Sequence, residues 1–242
     1  MRAIRIIFGR EIASYLRSPV GYIIGAIGLF ANGIWFQAIA LGGRPKLSGE
    51  VLSMFFFTSS IITMVMGLLL SFRLIAEERQ QNTIVLLNTA PIREVEIVVG
   101  KFLASFVFLT LIILATAFIP AQIFWQGKIG FGQIAVGYLG LMLVGGGAIA
   151  VGIFGSSLTK NWLIAGAVSL LVGLLLIVGY FVADRLDPPL KTVVFQLDGW
   201  RTHFHGSFMR GALALKDIVY YFAVIYFFLL LATKTMEAKR WQ

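Results

Sequence analysis

Few side chains in this 242-residue chain are of a type and spacing that does bond chemistry. The only two histidines, His203 and His205, flank Phe204, and there is no cysteine. A metal ion needs three or four donors. With thiolates absent, the remaining ones would be aspartates distant in sequence, so this pair reads as ordinary loop histidines. No G-x-x-x-x-G-K-S/T loop occurs, and Gly100-Lys101 lacks both the upstream glycine and the following hydroxyl that would cradle a nucleotide phosphate. G-x-S-x-G and H-E-x-x-H are absent as well, which leaves serine hydrolysis and zinc proteolysis without support. No cofactor or metal is expected in the chain itself. The chemistry on offer is recognition. Glu77-Glu78-Arg79 sets fixed charge near the head of a polar interval, residues 73–101, and Ile84, Val85, Leu86 and Leu87 follow as an apolar run too continuous to leave in water. Pro91 ends the short helix that residues 83–90 are able to form. Such a run is buried either in a partner's groove or beneath the chain's own helices, and composition does not separate the two.

The elements that position this interval belong in lipid. Hydrophobic residues make up 59% of the chain and the mean hydropathy is +0.90, well outside soluble composition. The net charge of +9 comes from short clusters between apolar runs instead of a continuous basic stripe, so nucleic acid is not an expected partner. Six apolar segments, 20–41, 51–72, 102–125, 134–158, 163–183 and 218–233, read as transmembrane helices, most of them above the length of about 20 residues that a span requires. An all-α integral membrane protein is predicted, because long continuous runs do not suit a barrel. Residues 1–18 carry Ile4, Ile7, Phe8, Ile12, Tyr15 and Leu16 at helical spacing among four arginines, the pattern of a helix lying in the membrane interface, and Ser18-Pro19 ends it. No small-residue cleavage motif precedes the first span, so no removable signal peptide is expected. Six spans put both termini on one side. With that side cytoplasmic, the inner segments hold twelve of the twenty basic residues, and five of the other eight fall in the long outer stretch 184–217.

That outer stretch reads as a structured extracytoplasmic cap. Asp187-Pro188-Pro189 makes a rigid turn, and residues 206–217 are expected as a short amphipathic helix before the last span. Its aromatic content, including Trp200, Phe204 and Phe208, argues against disorder. Gly21 and Gly25, and Ala148, Gly152 and Ser156, recur at four-residue intervals that let helices pack closely in lipid. Such spacing serves packing within a chain more often than dimerisation. Gly145-Gly146-Gly147 is expected to soften the fourth span and Pro120 to kink the third. The six apolar cores contain no ionisable residue, with Arg73, Lys101, Asp184 and Lys234 at their ends, which argues against a proton or ion relay.

Glu77-Glu78-Arg79, Asn82-Thr83-Ile84, Leu86-Leu87, Ala90-Pro91-Ile92 and Ile97-Val98-Val99-Gly100-Lys101-Phe102-Leu103-Ala104 together resemble the coupling-helix region of ABC-2 type transporter permeases. The usual pattern there is an acidic pair, a Gly-Thr, a leucine pair, a Pro and a Gly-Lys. Asn82 stands where glycine is usual, and Val85 where glutamate is common. The resemblance covers essentially the whole chain. Arg10-Glu11 with Ser18-Pro19 and Gly21-Tyr22 is similar to the family's N-terminal interfacial helix, and Ser157-Leu158-Thr159-Lys160-Asn161 to its tight inner turn between spans four and five. Phe204, Phe208, Arg210-Gly211 and Lys216-Asp217, before Tyr220-Tyr221, are similar to the branch containing the gliding-motility-associated permease. The permease for nitrous-oxide-reductase maturation is a more distant relation.

The resemblance implies a single transmembrane domain of six helices, of type V exporter-like architecture, in the inner membrane. It implies pairing with a second copy or a paralogous permease and with two copies of a cytosolic ATPase, which binds the ATP and Mg²⁺. In that picture Glu77, Glu78 and Arg79 anchor the coupling segment and Leu86 and Leu87 fill a cleft on the ATPase. Asn82, Thr83 and Pro91 belong to the same segment, and the chain does no bond chemistry itself. An exporter permease is the leading expectation. The alternative is a mechanotransducer of the same architecture, acting through residues 184–217 on an extracytoplasmic accessory protein without moving cargo. A stand-alone channel or carrier is disfavoured by the lack of charge within the spans.

Overall fold

The computed structural model describes residues 2–40, 46–81, 83, 92–127, 129–183, 185, 187 and 190–240, and among these every regular element is helical. The amphipathic N-terminal segment forms α1 (Arg2–Arg17). Ser18 then accepts a hydrogen bond from the Val20 amide and Pro19 occupies the first position of α2 (Pro19–Trp35), where its missing N–H costs nothing. A π-helical turn, Phe36–Ala40, continues it. Then come α3 (Ser48–Ser71), the short α4 (Ala76–Gln80), α5 (Glu94–Ala115), α6 (Phe118–Gln126), α7 (Phe131–Leu158) and α8 (Trp162–Ala183). After α9 (Leu190–Leu197), a π-helical turn (Gly199–His205) and a 3₁₀ turn (Phe208–Arg210) lead into α10 (Leu215–Arg240).

Among the described residues, five helical stretches are long and apolar enough to cross a membrane: Pro19–Ile39, Ser48–Gln80, Glu94–Trp125, Phe131–Leu158 and Leu215–Lys239. The remaining expected span falls on α8, whose described side chains, Trp162–Ile177, form an apolar stretch. Large side chains such as Ile27, Phe30, Phe222 and Tyr226 face outward from α2 and α10, as lipid-facing positions do.

α7 is the axis of the fold. Its side chains are buried nearly continuously from Gly137 to Ser157, and α3, α5, α8 and α10 all pack on it. α7 runs unbroken through the glycine triplet, and the glycines serve close approach. A methyl at Gly145 would sit 2.7 Å from Leu109 Cδ2 and 3.0 Å from Thr63 Cγ2, inside van der Waals contact. The small-residue faces seen in the sequence are likewise filled within the chain, Gly25 by Ile112, Ala148 by Gly67 and Gly152 by Ser71.

The third apolar segment is interrupted one turn before Pro120. Proline cannot donate to the carbonyl of Thr116 and its ring crowds that position. The chain therefore stops α5 at Ala115, bonds the Ile119 amide to Thr116 O at 3.0 Å and restarts as α6. The Thr116 hydroxyl contacts Tyr138 Oη of α7 at 3.0 Å, which ties the break to the axis.

Candidate functional site

At the end of the bundle where α3 passes into α4, four charged side chains from three helices form a closed ring of ion pairs. Lys101, seven residues into α5, donates from Nζ to Glu11 Oε1 of α1 and to Glu78 Oε1 of α4, both at 2.9 Å. Arg10 Nη2 reaches the same two oxygens at 2.9 and 2.7 Å. Each carboxylate is shared by two cations, so neither is left unpaired. The helices bring the ring together for local reasons. Along α1 the buried face is Ile7, Glu11 and Tyr15 at four-residue spacing, while Leu16, expected on that face, points outward. A methyl at Gly100 would lie 2.9 Å from Ile7 Cγ2 and 3.3 Å from Ile4 O, so only glycine lets α1 settle this closely on α5. Tyr15 completes the seam: its hydroxyl donates to Leu70 O at 2.8 Å, meets Ser105 Oγ at 2.9 Å, and its ring stacks on Phe108 with centroids 4.9 Å apart.

The electrostatics follow from this geometry. Burial pushes the Glu11 carboxyl up, but Lys101 and then Arg10 outweigh it and hold the group below its ordinary value. For Arg10, partial burial works against the charged form and the two carboxylates overcome it, raising the guanidinium. Burial raises the Tyr15 phenol. Lys101 is 1% exposed and Arg10 54% exposed, so the ring is sealed on the α5 side and wet on the other. The wet side opens into a polar recess of about 640 Å³ lined by Ser14, Arg73, Glu77, Gln81 and Thr83 besides the ring itself.

The residues anticipated as a single coupling group are therefore divided. Glu78 lies in the ring, Glu77 stays at the rim with Arg73 at 3.8 Å, and Arg79 turns away to donate to Ser157 O of α7 at 2.7 Å. Thr83 Oγ1 bonds Glu78 O at 3.2 Å. Asn82, Leu86, Leu87 and Pro91, and with them the expected helix over 83–90, lie outside the described residues. Arg10 joins Glu78 directly and Glu11 joins it through Lys101 and Arg10, which the separation of 68 residues from Arg10 to Glu78 gave no reason to expect. Lys101 is the residue the sequence reading undervalued. At the start of an apolar run it reads as a span end, but α5 begins at Glu94 and carries it inside the bundle. A lone lysine embedded between Ile97 and Ala104 was the available signal.

At the opposite end of α3 the chain builds a cap with a buried core. Phe204 and Phe208 are fully buried against α7, Arg210 is exposed, and Asp217 accepts from His203 Nδ1 at 2.7 Å. His203 Nε2 meets Gln196 O at 3.1 Å, and the ring stacks on Tyr220 at 3.9 Å. Both ring nitrogens thus meet oxygens, which fixes the imidazole at both ends. The His205 imidazole is held below its ordinary value by burial and then by Arg201 and Arg210. Asp198 caps the following turn through the amides of Arg201 and Thr202, and Trp200 Nε1 donates to Ser60 Oγ of α3 at 2.9 Å. The amphipathic helix expected over 206–217 does not form. Gly211, at φ 76°, ends the 3₁₀ turn in the left-handed region, and helix resumes only at Leu215. Pro188 and Pro189 of the expected rigid turn lie outside the described residues. Among the described residues no group of three His, Asp or Glu stands close enough to hold a metal ion.

Apolar helices of spanning length, a docked amphipathic N-terminal helix and a charged ring at one bundle end define a multi-pass membrane protein whose polar chemistry sits at the ends of its helices. The chain belongs to the ABC-2 transporter family: the model of the ABC-2 family transporter protein matches residues 8–205, from within α1 through the cap. It is thus the permease subunit of an ABC transporter, the membrane subunit and not the ATPase, and membership implies partnership with an ABC ATPase. A search of curated proteins finds no match.

Proposed function

We propose that the chain couples ATP hydrolysis by a separate cytosolic ABC ATPase to export, with both termini cytoplasmic in the inner membrane and residues 73–101 as the segment on which the ATPase acts. The observation that carries this reading is the ion-pair ring. The head of that segment is fastened through Glu78 to α1 and α5 together, so a push on it moves several helices. Leu86 and Leu87 supply the apolar contact to the ATPase, and ATP and Mg²⁺ stay on that partner. A second copy or a paralogous permease completes the transporter. Within the family we place the chain beside the gliding-motility-associated branch. The mechanotransducer alternative draws support from the rigid cap, a firm surface for an extracytoplasmic partner.

The test is recovery of the tagged chain from mildly solubilised native membranes, with mass spectrometry and an ATPase assay on the eluate. A P-loop ATPase in equal amount is the expected outcome, and replacing Leu86 and Leu87 with Asp should abolish its recovery without affecting membrane insertion, because charge enters an apolar groove. Retention of the ATPase by that variant overturns the coupling assignment. Recovery of the chain alone, without ATPase activity, overturns the function.

A further inference from the structure

The contacts of α4 with α7 are reciprocal. Between the end of α3 at Ser71 and the start of α4 at Ala76, the amides of Ile75 and Ala76 both donate to one side-chain oxygen, Ser156 Oγ of α7, at 2.9 Å each. Ile75, Ala76 and Ser156 are fully buried, so no water replaces that hydroxyl. In the other direction, α7 ends at Leu158, and its last carbonyls have no following turn to bond them. Arg79 Nη1 of α4 donates to Ser157 O, and Lys239 Nζ of α10 donates to Ser157 O at 3.2 Å and Leu158 O at 2.5 Å. Two cations thus sit at the negative end of the α7 dipole. α7 closes the start of α4, α4 closes the end of α7, and α10 is fastened at the same point.

We propose that Ser156 and Arg79 are positioning residues that make α4 a fixed extension of α7, and that Lys239 fastens α10 to the same helix end, so that displacement of the coupling segment reaches α7 and α10 directly instead of being absorbed in the turn after α3. This rests on the reading of residues 73–101 as the coupling segment. Because α7 is the axis on which α3, α5, α8 and α10 pack, motion delivered there moves the whole bundle. The ion-pair ring, by contrast, governs where α4 sits relative to α1 and α5.

The chain has no cysteine, so introduced pairs can be spin-labelled without background. Distances are read in full-length chain in lipid nanodiscs between positions 81 and 160, across the α4 to α7 clamp, and between 81 and 95, across the ring. Ser156→Ala and Arg79→Gln should each broaden the first distribution about two-fold, as happens when a buried hydrogen bond no longer fixes a segment, and leave the second unchanged. Arg79→Lys should restore the first. Lys239→Ala, a change away from the core, should loosen α10 against α7 alone, read between positions 160 and 237. Broadening of both distributions, or of neither, overturns the proposal. Recovery of an ATPase on wild-type chain is measured separately, so loss of the coupling reading is distinguishable from failure of the clamp, which the distances report on the chain alone.

Discussion

The two ends of the bundle both bury acidic side chains, but they do so in opposite ways. In the ring around Lys101, each carboxylate is shared between two cations, three helices contribute, and one side stays open to a polar recess. In the cap, the Asp217 carboxylate has one side-chain partner, His203, and the pair is covered by Tyr220, with Asp198 Oδ1 and Asp217 Oδ2 buried without a hydrogen-bond partner. Shared partners let a junction shift while some bonds persist. A single buried partner under aromatic packing does not, because breaking it leaves a charge with nowhere to go. The ring end can therefore shift while staying paired, and the cap end holds its place.

The comparison breaks most visibly at Lys101. Lys101→Met strips both Glu11 and Glu78 of their buried cation and should cost about 3–5 kcal/mol, read as a lowered melting temperature in detergent together with lost hydrogen-exchange protection along α1. An unchanged melt and intact protection of α1 would show that the ring anchors nothing. At the cap, Asp217→Asn removes the charge from one buried hydrogen bond and should cost about 1.5–3 kcal/mol. Trypsin should then cut faster after the exposed Arg201 and Arg210, with α1 exchange unaltered. Coupled loss at both ends would dissolve the distinction between them.

Acid sharpens it further. The Glu11 carboxyl is held below its ordinary value of 4.5, so its contribution is fully present above that value and is lost as pH falls through the lower folded value. Protection of α1 should persist down to pH 4.5 and fall below it, whereas an onset above pH 4.5 would contradict the ring's electrostatics. The smallest effect belongs to Arg10→Ala. Arg10 binds the same two oxygens as Lys101, but its exposure screens it, so the loss should stay under about 1 kcal/mol in the same melt.

Much of the architecture was legible beforehand. Composition and run length predicted an all-helical membrane protein, and the spacing of Ile4, Ile7, Ile12 and Tyr15 predicted α1. Pro120 marked the interruption of the third segment. The site was legible only in its parts: Arg10, Glu11 and Glu78 were singled out, but in separate groups. Residues 206–217 misled because their amphipathic periodicity is real, yet Gly211 takes a left-handed turn that periodicity does not register.

What the sequence determined by itself is what local physics decides, namely which stretches prefer lipid, where helices are capped or broken, and which nucleotide and hydrolytic motifs are absent. Only the tertiary structure decided that Lys101 meets Glu11 across 90 residues, that one Ser156 hydroxyl serves two amides of the α3 to α4 turn, and that His203 is committed to Asp217. Those meetings depend on how closely helices approach, and that is set by the shapes of side chains such as Gly100 and Ile7 on different helices, which no one segment encodes.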